Sequence, residues 1–137
     1  MTALIDSGFL YATVDQGDIN HQRALKLLPD LTDALLLPTT VLVEVAYLLQ
    51  ARLGHPAMRR FVQQLESSPI RIEPINKTDL TRIYALLDQY ADAELDFVDA
   101  SLVTIAERLN ICRILTVDRR DFNLIRPAHC DYFEILP

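Results

Sequence analysis

The chain has 137 residues, half of them apolar, and its thirteen Lys and Arg stand against nineteen Asp and Glu for a formal net charge of −6. The length suits a single domain, residues 1–137, with enough apolar residues for a core. The acidic balance argues against a broad basic nucleic-acid platform, and no apolar run reaches membrane-spanning length.

Ala3-Leu4-Ile5 is a short continuous apolar run, the pattern of a strand buried on both faces. Asp6 follows it, then Ser7, Gly8, Phe9, Leu10, Tyr11 and Ala12, which begin a helix. Asp6 is therefore either the cap of that helix or a group placed for chemistry where a buried strand emerges. Ile19 to Leu31 is helical, with Ala24, Leu25, Leu27 and Leu28 on one side, and Leu35-Leu36-Leu37 is a second strand. Thr39 to Leu53 is strongly periodic, with Thr39 or Thr40 as its cap. Pro56 suits the first turn of the next helix, which carries Met58, Phe61, Val62 and Leu65.

Ile70 to Ile75 alternates apolar and polar as a third strand, and Leu80, Ile83, Leu86 and Leu87 mark another helix. Asp96 is placed to cap the helix that starts Phe97-Val98-Asp99 and continues through Leu102, Val103, Ile105, Ala106 and Leu109. Ile114 to Val117 is a fourth, continuously apolar strand. Cys112 opens that apolar segment and reads as a small buried residue. Asp118 ends the strand, and Arg119 to Asn123 reads as a turn, with Asp121 as its cap and Phe122 as its anchor. Tyr132 to Leu136 alternates as a fifth strand. Cys112 and Cys130 have no CxxC spacing, and the N-terminus has no signal-peptide pattern, so the chain reads as reduced and cytoplasmic, with a disulfide as the alternative. His21, His55 and His129 have no partners at ligand spacing and read as surface residues.

Strands alternating with helices indicate an α/β domain with a mainly parallel five-stranded sheet flanked by helices. Continuously apolar strands belong in the middle and alternating ones at the edges, which the order 3-2-1-4-5 satisfies. Ligands of open parallel sheets bind beyond the carboxyl ends of the strands, where the connections change direction. Asp6 and Asp118 would then open onto one crevice.

Two further acids sit in unusual places. Glu44 falls at the margin of the apolar stripe of its helix, and Asp99 shares a face with Val103 and Ala106. A solvated boundary glutamate and an acid favoured by a helix N-terminus explain them separately. Converging with Asp6 and Asp118, they would repel one another unless a cation joined them. Hard oxygen donors with room for water suit Mg²⁺ or Mn²⁺. The matching chemistry is metal-assisted attack of water on a phosphodiester.

The ordered segments LIDSGFL, TTVLVEVAYLL, DFVDASLVTIAERL and ILTVDRRDF resemble PIN domains, most closely the VapC toxins of bacterial toxin–antitoxin pairs. The resemblance implies a PIN-like three-layer sandwich and a Mg²⁺-dependent endoribonuclease, with Mn²⁺ able to substitute. It also implies a homodimer and a small VapB-like antitoxin encoded beside it. The family's four acids fall on Asp6, Glu44, Asp99 and Asp118, its hydroxyl residues on Ser7 and Thr116, and Asp96 is an additional acid found in some relatives. On this reading Asp6 and Asp99 hold the metal directly and Asp118 assists, with Asp121 as the rival fourth acid. Glu44 orients or deprotonates the attacking water. Arg52, Arg119 and Arg120 are candidates for RNA phosphates. The competing reading is a PIN-fold binding module that acts through a protein partner. An aspartate-phosphorylated receiver domain fits poorly, since Asp6 has no acidic neighbour and Lys77 follows the wrong strand.

Overall fold

The computed structural model describes residues 1–137. Its elements, in chain order, are β1 (Thr2–Ile5), α1 (Ser7–Val14), α2 (His21–Leu27), β2 (Ala34–Pro38), α3 (Thr39–Leu53), α4 (His55–Glu66) and β3 (Arg71–Glu73), then α5 (Asp79–Gln89), α6 (Phe97–Leu109), β4 (Arg113–Leu115), α7 (Arg119–Leu124) and β5 (Glu134–Leu136). The five strands form one sheet in the order β3-β2-β1-β4-β5, and every pairing is parallel. No helix is long and apolar enough to cross a membrane.

Strand composition accounts for this order. Ala3, Leu4 and Ile5 of β1, Leu36 and Leu37 of β2, and Ile114 and Leu115 of β4 are all buried. Strands covered on both faces must be apolar at every position. Arg71 and Glu134 put charge on the edge strands β3 and β5, where one side meets water. Right-handed crossovers then dictate the layers. The connections from β1 to β3 run outward one way and those from β3 to β5 return the other way, so α1–α4 and α5–α7 cover opposite faces. In keeping with this, α1 packs on α2 and α3, α3 on α4, and α5 on α6.

Local chemistry sets the boundaries. Gly54 at φ 94° stops α3, and Pro56 stands in the first turn of α4. Asn110 at φ 57° ends α6, and the Ile111 amide reaches back to the Ala106 carbonyl at 2.8 Å. The helix expected over Ile19–Leu31 is shorter. Asp18 Oδ1 accepts the Asn20 amide at 2.8 Å, which delays its start, and Pro29 tightens its end into a 3₁₀ turn at Leu28–Asp30. Neither Thr39 nor Thr40 caps α3; Pro38 holds that position, and the Thr40 hydroxyl instead meets Ser101 Oγ of α6 at 2.7 Å. The expected turn at Arg119–Asn123 is the helix α7. The paired part of β4 ends at Leu115, although the Thr116 amide still reaches the Leu136 carbonyl at 2.8 Å.

Gly8, in the first turn of α1, is where the fold admits no side chain. A Cβ there would stand 2.9 Å from Val117 Cγ2, just ahead of Asp118. Gly8→Ala should therefore lose stability: overpacking costs about 1–3 kcal/mol, against a helix-propensity gain of at most about 1 kcal/mol. In a Val117→Ala background the same change should be neutral or stabilising, as read from urea unfolding of the four proteins.

Candidate active site

β1 and β4 are hydrogen-bonded neighbours, so the residues that follow them emerge together at the carboxyl edge of the sheet. Asp6 follows β1, and its amide donates to the Leu115 carbonyl at 2.9 Å. Asp6 does stand at the N-cap position of α1, but its side chain makes no capping hydrogen bond there. One carboxylate oxygen instead accepts the Thr116 hydroxyl at 2.7 Å. Thr116 Oγ1 in turn accepts the Asp118 amide at 3.0 Å, so one buried hydroxyl links the two strand ends.

Asp99 arrives from α6. Asp96 caps that helix as expected, its Oδ1 accepting the Asp99 amide at 2.8 Å. Asp6 and Asp99 are both buried. Glu44 is half-buried on α3, close enough for its charge to act on Asp6. α3 and α6 are tied by the Thr40–Ser101 bond, with Ser101 Oγ donating to the Val98 carbonyl at 2.7 Å.

Asp118 and Asp121 differ from the sequence expectation. Asp118 itself caps α7, its Oδ1 accepting the Arg120 amide at 3.1 Å. Asp121 therefore does not cap a turn. It lies one helical turn further on, close enough to Asp99 to raise that carboxyl above its ordinary value. The spacing Asp118-Arg119-Arg120-Asp121 matches a helix N-terminus with an acid three residues after its cap, a legible signal obscured by the two arginines. Asp118 faces Asp6 and Asp121 faces Asp99, so the structure gathers both.

The electrostatics set these acids apart. Burial raises the Asp6 carboxyl to about 6, against the pull of the Thr116 hydroxyl and the Ser7 amide, with Glu44 and Asp118 adding repulsion. Burial also drives Asp99 well above the usual carboxylate range, and Asp6, Asp96 and Asp121 push it further. Elsewhere the chain gives its enclosed acids a cation. Asp79, the other buried carboxylate, meets Arg108 at 3.0 Å; Asp33 meets Arg113 at 2.7 Å and Glu107 meets Arg82 at 2.7 Å. Asp6 and Asp99 have no such partner among the salt bridges. Ser7 Oγ is buried beside Asp6 with no hydrogen-bond partner.

An all-oxygen cluster whose two buried acids resist ionisation for want of positive charge, with an unpartnered hydroxyl at its edge, fits a hard divalent cation. A groove of about 530 Å³ runs alongside, lined by Thr39, Thr40, Val43, Glu44, Tyr47 and Val98. Of the basic candidates, Arg52 stacks 5.1 Å over the Tyr11 ring and Arg119 donates to the Pro137 carbonyl. Arg120 is exposed, and its guanidinium has no protein partner. His129 is half-buried rather than a plain surface residue, with Nε2 2.7 Å from the Ile111 carbonyl, and His21 Nδ1 lies 2.6 Å from the Ala12 carbonyl.

The PIN domain family model matches residues 3–126. Ribonuclease VapC26 of Mycobacterium tuberculosis is 26% identical over 134 residues, covering 98% of this chain and 99% of the relative. Among solved structures, the M. tuberculosis sarcin–ricin loop cleaving toxin VapC20 superposes with a TM-score of 0.76 at 23% identity, over 82% of this chain and 86% of that one. VapBC2 of Rickettsia felis, bound to a promoter DNA fragment, gives a TM-score of 0.73 at 13% identity, with each chain fully covered. A Klebsiella pneumoniae toxin–antitoxin complex gives 0.68 at 20% identity, over 96% and 99% of the two chains. At these identities the solved structures establish a shared fold.

The raised pKa values of Asp6 and Asp99 predict an inverted pH dependence for the metal-free protein. A carboxyl whose folded value lies above its unfolded value favours the fold in its neutral form. That contribution is complete below about 4 and is lost as pH rises through about 6. A shift from 3.8 to about 6 corresponds to roughly 3 kcal/mol for Asp6 alone. In EDTA the protein should melt several degrees higher at pH 5 than at pH 7.5. Asp6→Asn should shrink that difference, and Mg²⁺ at pH 7.5 should restore the lost stability in the parent chain.

Proposed function

The chain belongs to the PIN domain family, and on that premise we propose that it is a Mg²⁺-dependent endoribonuclease, the cytoplasmic toxin of a toxin–antitoxin pair. The observation that carries the reading is the contrast among its buried acids: Asp79 has its arginine, whereas the only charged groups acting on Asp6 and Asp99 are other carboxylates. The name of the VapC26 relative and the toxin–antitoxin structures that share the fold support the biological setting.

Asp6, Asp99 and Asp118 would hold Mg²⁺, or Mn²⁺ in its place, with Asp121 as a further carboxylate beside Asp99. A divalent cation in that cluster supplies charge stabilisation at the scissile phosphate and acidifies water. The protein supplies the rest. The Thr116 hydroxyl fixes the Asp6 carboxylate, and Asp96 fixes the turn that presents Asp99. Glu44 orients the attacking water and takes its proton. The free Ser7 hydroxyl holds water or a phosphate oxygen. Arg120 is the basic candidate free to meet phosphate, since Arg52 and Arg119 are engaged. The groove beside Glu44, with Tyr47 on its wall, suits an unstacked base of single-stranded RNA.

A homodimer and a small antitoxin complete the proposal. α3, α4 and β3 present an apolar groove of about 410 Å³ lined by Leu42, Val43, Ala46, Val62, Leu65 and Ile72, and such a surface favours association.

Incubation with total RNA should give cleavage in Mg²⁺ and none in EDTA. Asp6→Asn should fold and lose cleavage, and an unchanged rate in that folded variant would overturn the assignment in favour of a non-nuclease binding module. Asp118→Asn should cut turnover roughly 100-fold, and Asp121→Asn should weaken Mg²⁺ binding by more than a few-fold. Light scattering at micromolar concentration should report a dimer, which Val62→Glu converts to monomer; a monomeric parent chain would count against the dimer.

A further inference from the structure

We propose that Cys112, His129 and Cys130 form a second metal site, one that takes Zn²⁺ or a similarly thiophilic cation, at the end of the sheet away from the acids. Cys112 immediately precedes β4 and its carbonyl accepts the Glu134 amide at 2.8 Å at the start of β5. The pairing of these strands brings residues eighteen positions apart onto the sheet's amino edge. The acids follow β1 and β4 at the carboxyl edge.

The donors are already gathered. One ligand atom from each of the three residues lies within 4.8 Å of the others, and all three residues are half-buried. Cys130 Sγ lies 3.6 Å from His129 Nε2, the nitrogen that also faces the Ile111 carbonyl, so the ring must turn for Nδ1 to meet the sulfurs. Zinc bonds of about 2.3 Å to sulfur and 2.0–2.1 Å to nitrogen give tetrahedral ligand-to-ligand edges of about 3.5–3.8 Å. The cluster thus needs to contract by about 1 Å at most to close around the ion.

The imidazole is prepared as a ligand. Nε2 faces the Ile111 carbonyl at 2.7 Å, the kind of outer partner that fixes the tautomer of a metal-bound histidine. With the proton on Nε2, the free lone pair falls on Nδ1, and Nδ1 is buried without any partner. A buried polar atom left in this way is costly unless something binds it.

The thiolate is the ligand form of cysteine, so binding would release the thiol protons to solvent. Cys112 also lines an open pocket of about 400 Å³ together with Ile111, Arg113 and Glu134, which gives the ion a way in. Three protein ligands leave the fourth position to solvent. Sulfur donors separate this site chemically from the oxygen-only cluster, which prefers Mg²⁺. A metal there clips the start of β4 to the loop before β5, closing the segment that carries Thr116, Asp118 and Asp121.

The test uses the full chain, reduced and stripped by a chelator, titrated with Co²⁺ alone. One equivalent should produce the charge-transfer absorption of a cobalt–thiolate bond, and Zn²⁺ should abolish it by displacement. Asp6→Asn should retain this behaviour. Cys112→Ala and Cys130→Ala should each weaken binding at least about 100-fold, since even the loss of an outer partner costs 10- to 100-fold. Zn²⁺ should raise the melting temperature of the parent chain and not that of Cys130→Ala. The proposal fails if both thiols titrate as free and no thiolate absorption develops, or if the absorption survives in both alanine variants. A purified chain lighter by two hydrogens that binds metal only after reduction, and then without thiolate absorption, would show a disulfide pair instead.

Discussion

Two carboxylates, Asp6 and Asp99, are buried without a cation, and the rest of the site is arranged around that fact. Burying a charge is costly unless it is paired, and this chain observes the rule everywhere else: Arg108, Arg113 and Arg82 each meet an enclosed acid. The exception is confined to the carboxyl ends of β1 and β4 and the start of α6. Neutral donors hold the exception in place. Thr116 gives its proton to Asp6 and accepts the Asp118 amide, so the two strand ends are fixed without supplying positive charge. An arginine there would itself supply the missing positive charge.

The fold makes the convergence inexpensive in conformational terms. Asp6 and Asp118 need no long loops, because parallel neighbours release their following residues at the same edge. Asp99 is added by a helix whose first turn is fixed by Asp96, a cap worth about 1 kcal/mol in typical cases. Glu44 is carried by α3, which a hydroxyl pair ties to α6. Each acid thus rides on a regular element rather than on a flexible loop. Closeness at the Gly8–Val117 contact shows how little room is left between α1 and the end of β4.

The two edges of the sheet carry opposite chemistry. The carboxyl edge gathers oxygen donors without positive charge. The amino edge gathers two thiols and an imidazole around the start of β4, with Glu107 anchored to Arg82 and accepting the Ala128 amide at 2.7 Å in the adjoining loop. The span from Cys112 to Cys130 joins these edges and carries Asp118 and Asp121 between them.

Composition and periodicity alone determined the class of fold, the strand order and the placement of Asp6, Asp99 and Asp118, because those depend on local rules. A strand buried on both faces must be continuously apolar, an edge strand alternates, and an acid directly after a buried strand has one place to emerge. Tertiary structure decided the rest. Asp121 joins Asp99 because the turn-like Arg-Arg stretch is wound into α7, which Asp118 rather than Asp121 caps. Thr40 lies behind the Pro38 cap of α3 and meets Ser101, sixty-one residues away, a partner its neighbours in sequence do not reveal. Asp79 is as buried as Asp6, and nothing in its neighbours along the chain shows that Arg108 will neutralise it. His129 and Cys130 are neighbours in sequence, and Cys112 joins them only once β4 and β5 pair. Which charges meet is a long-range property: burial can be read from a residue's neighbours in sequence, but pairing depends on which distant element the fold brings opposite it.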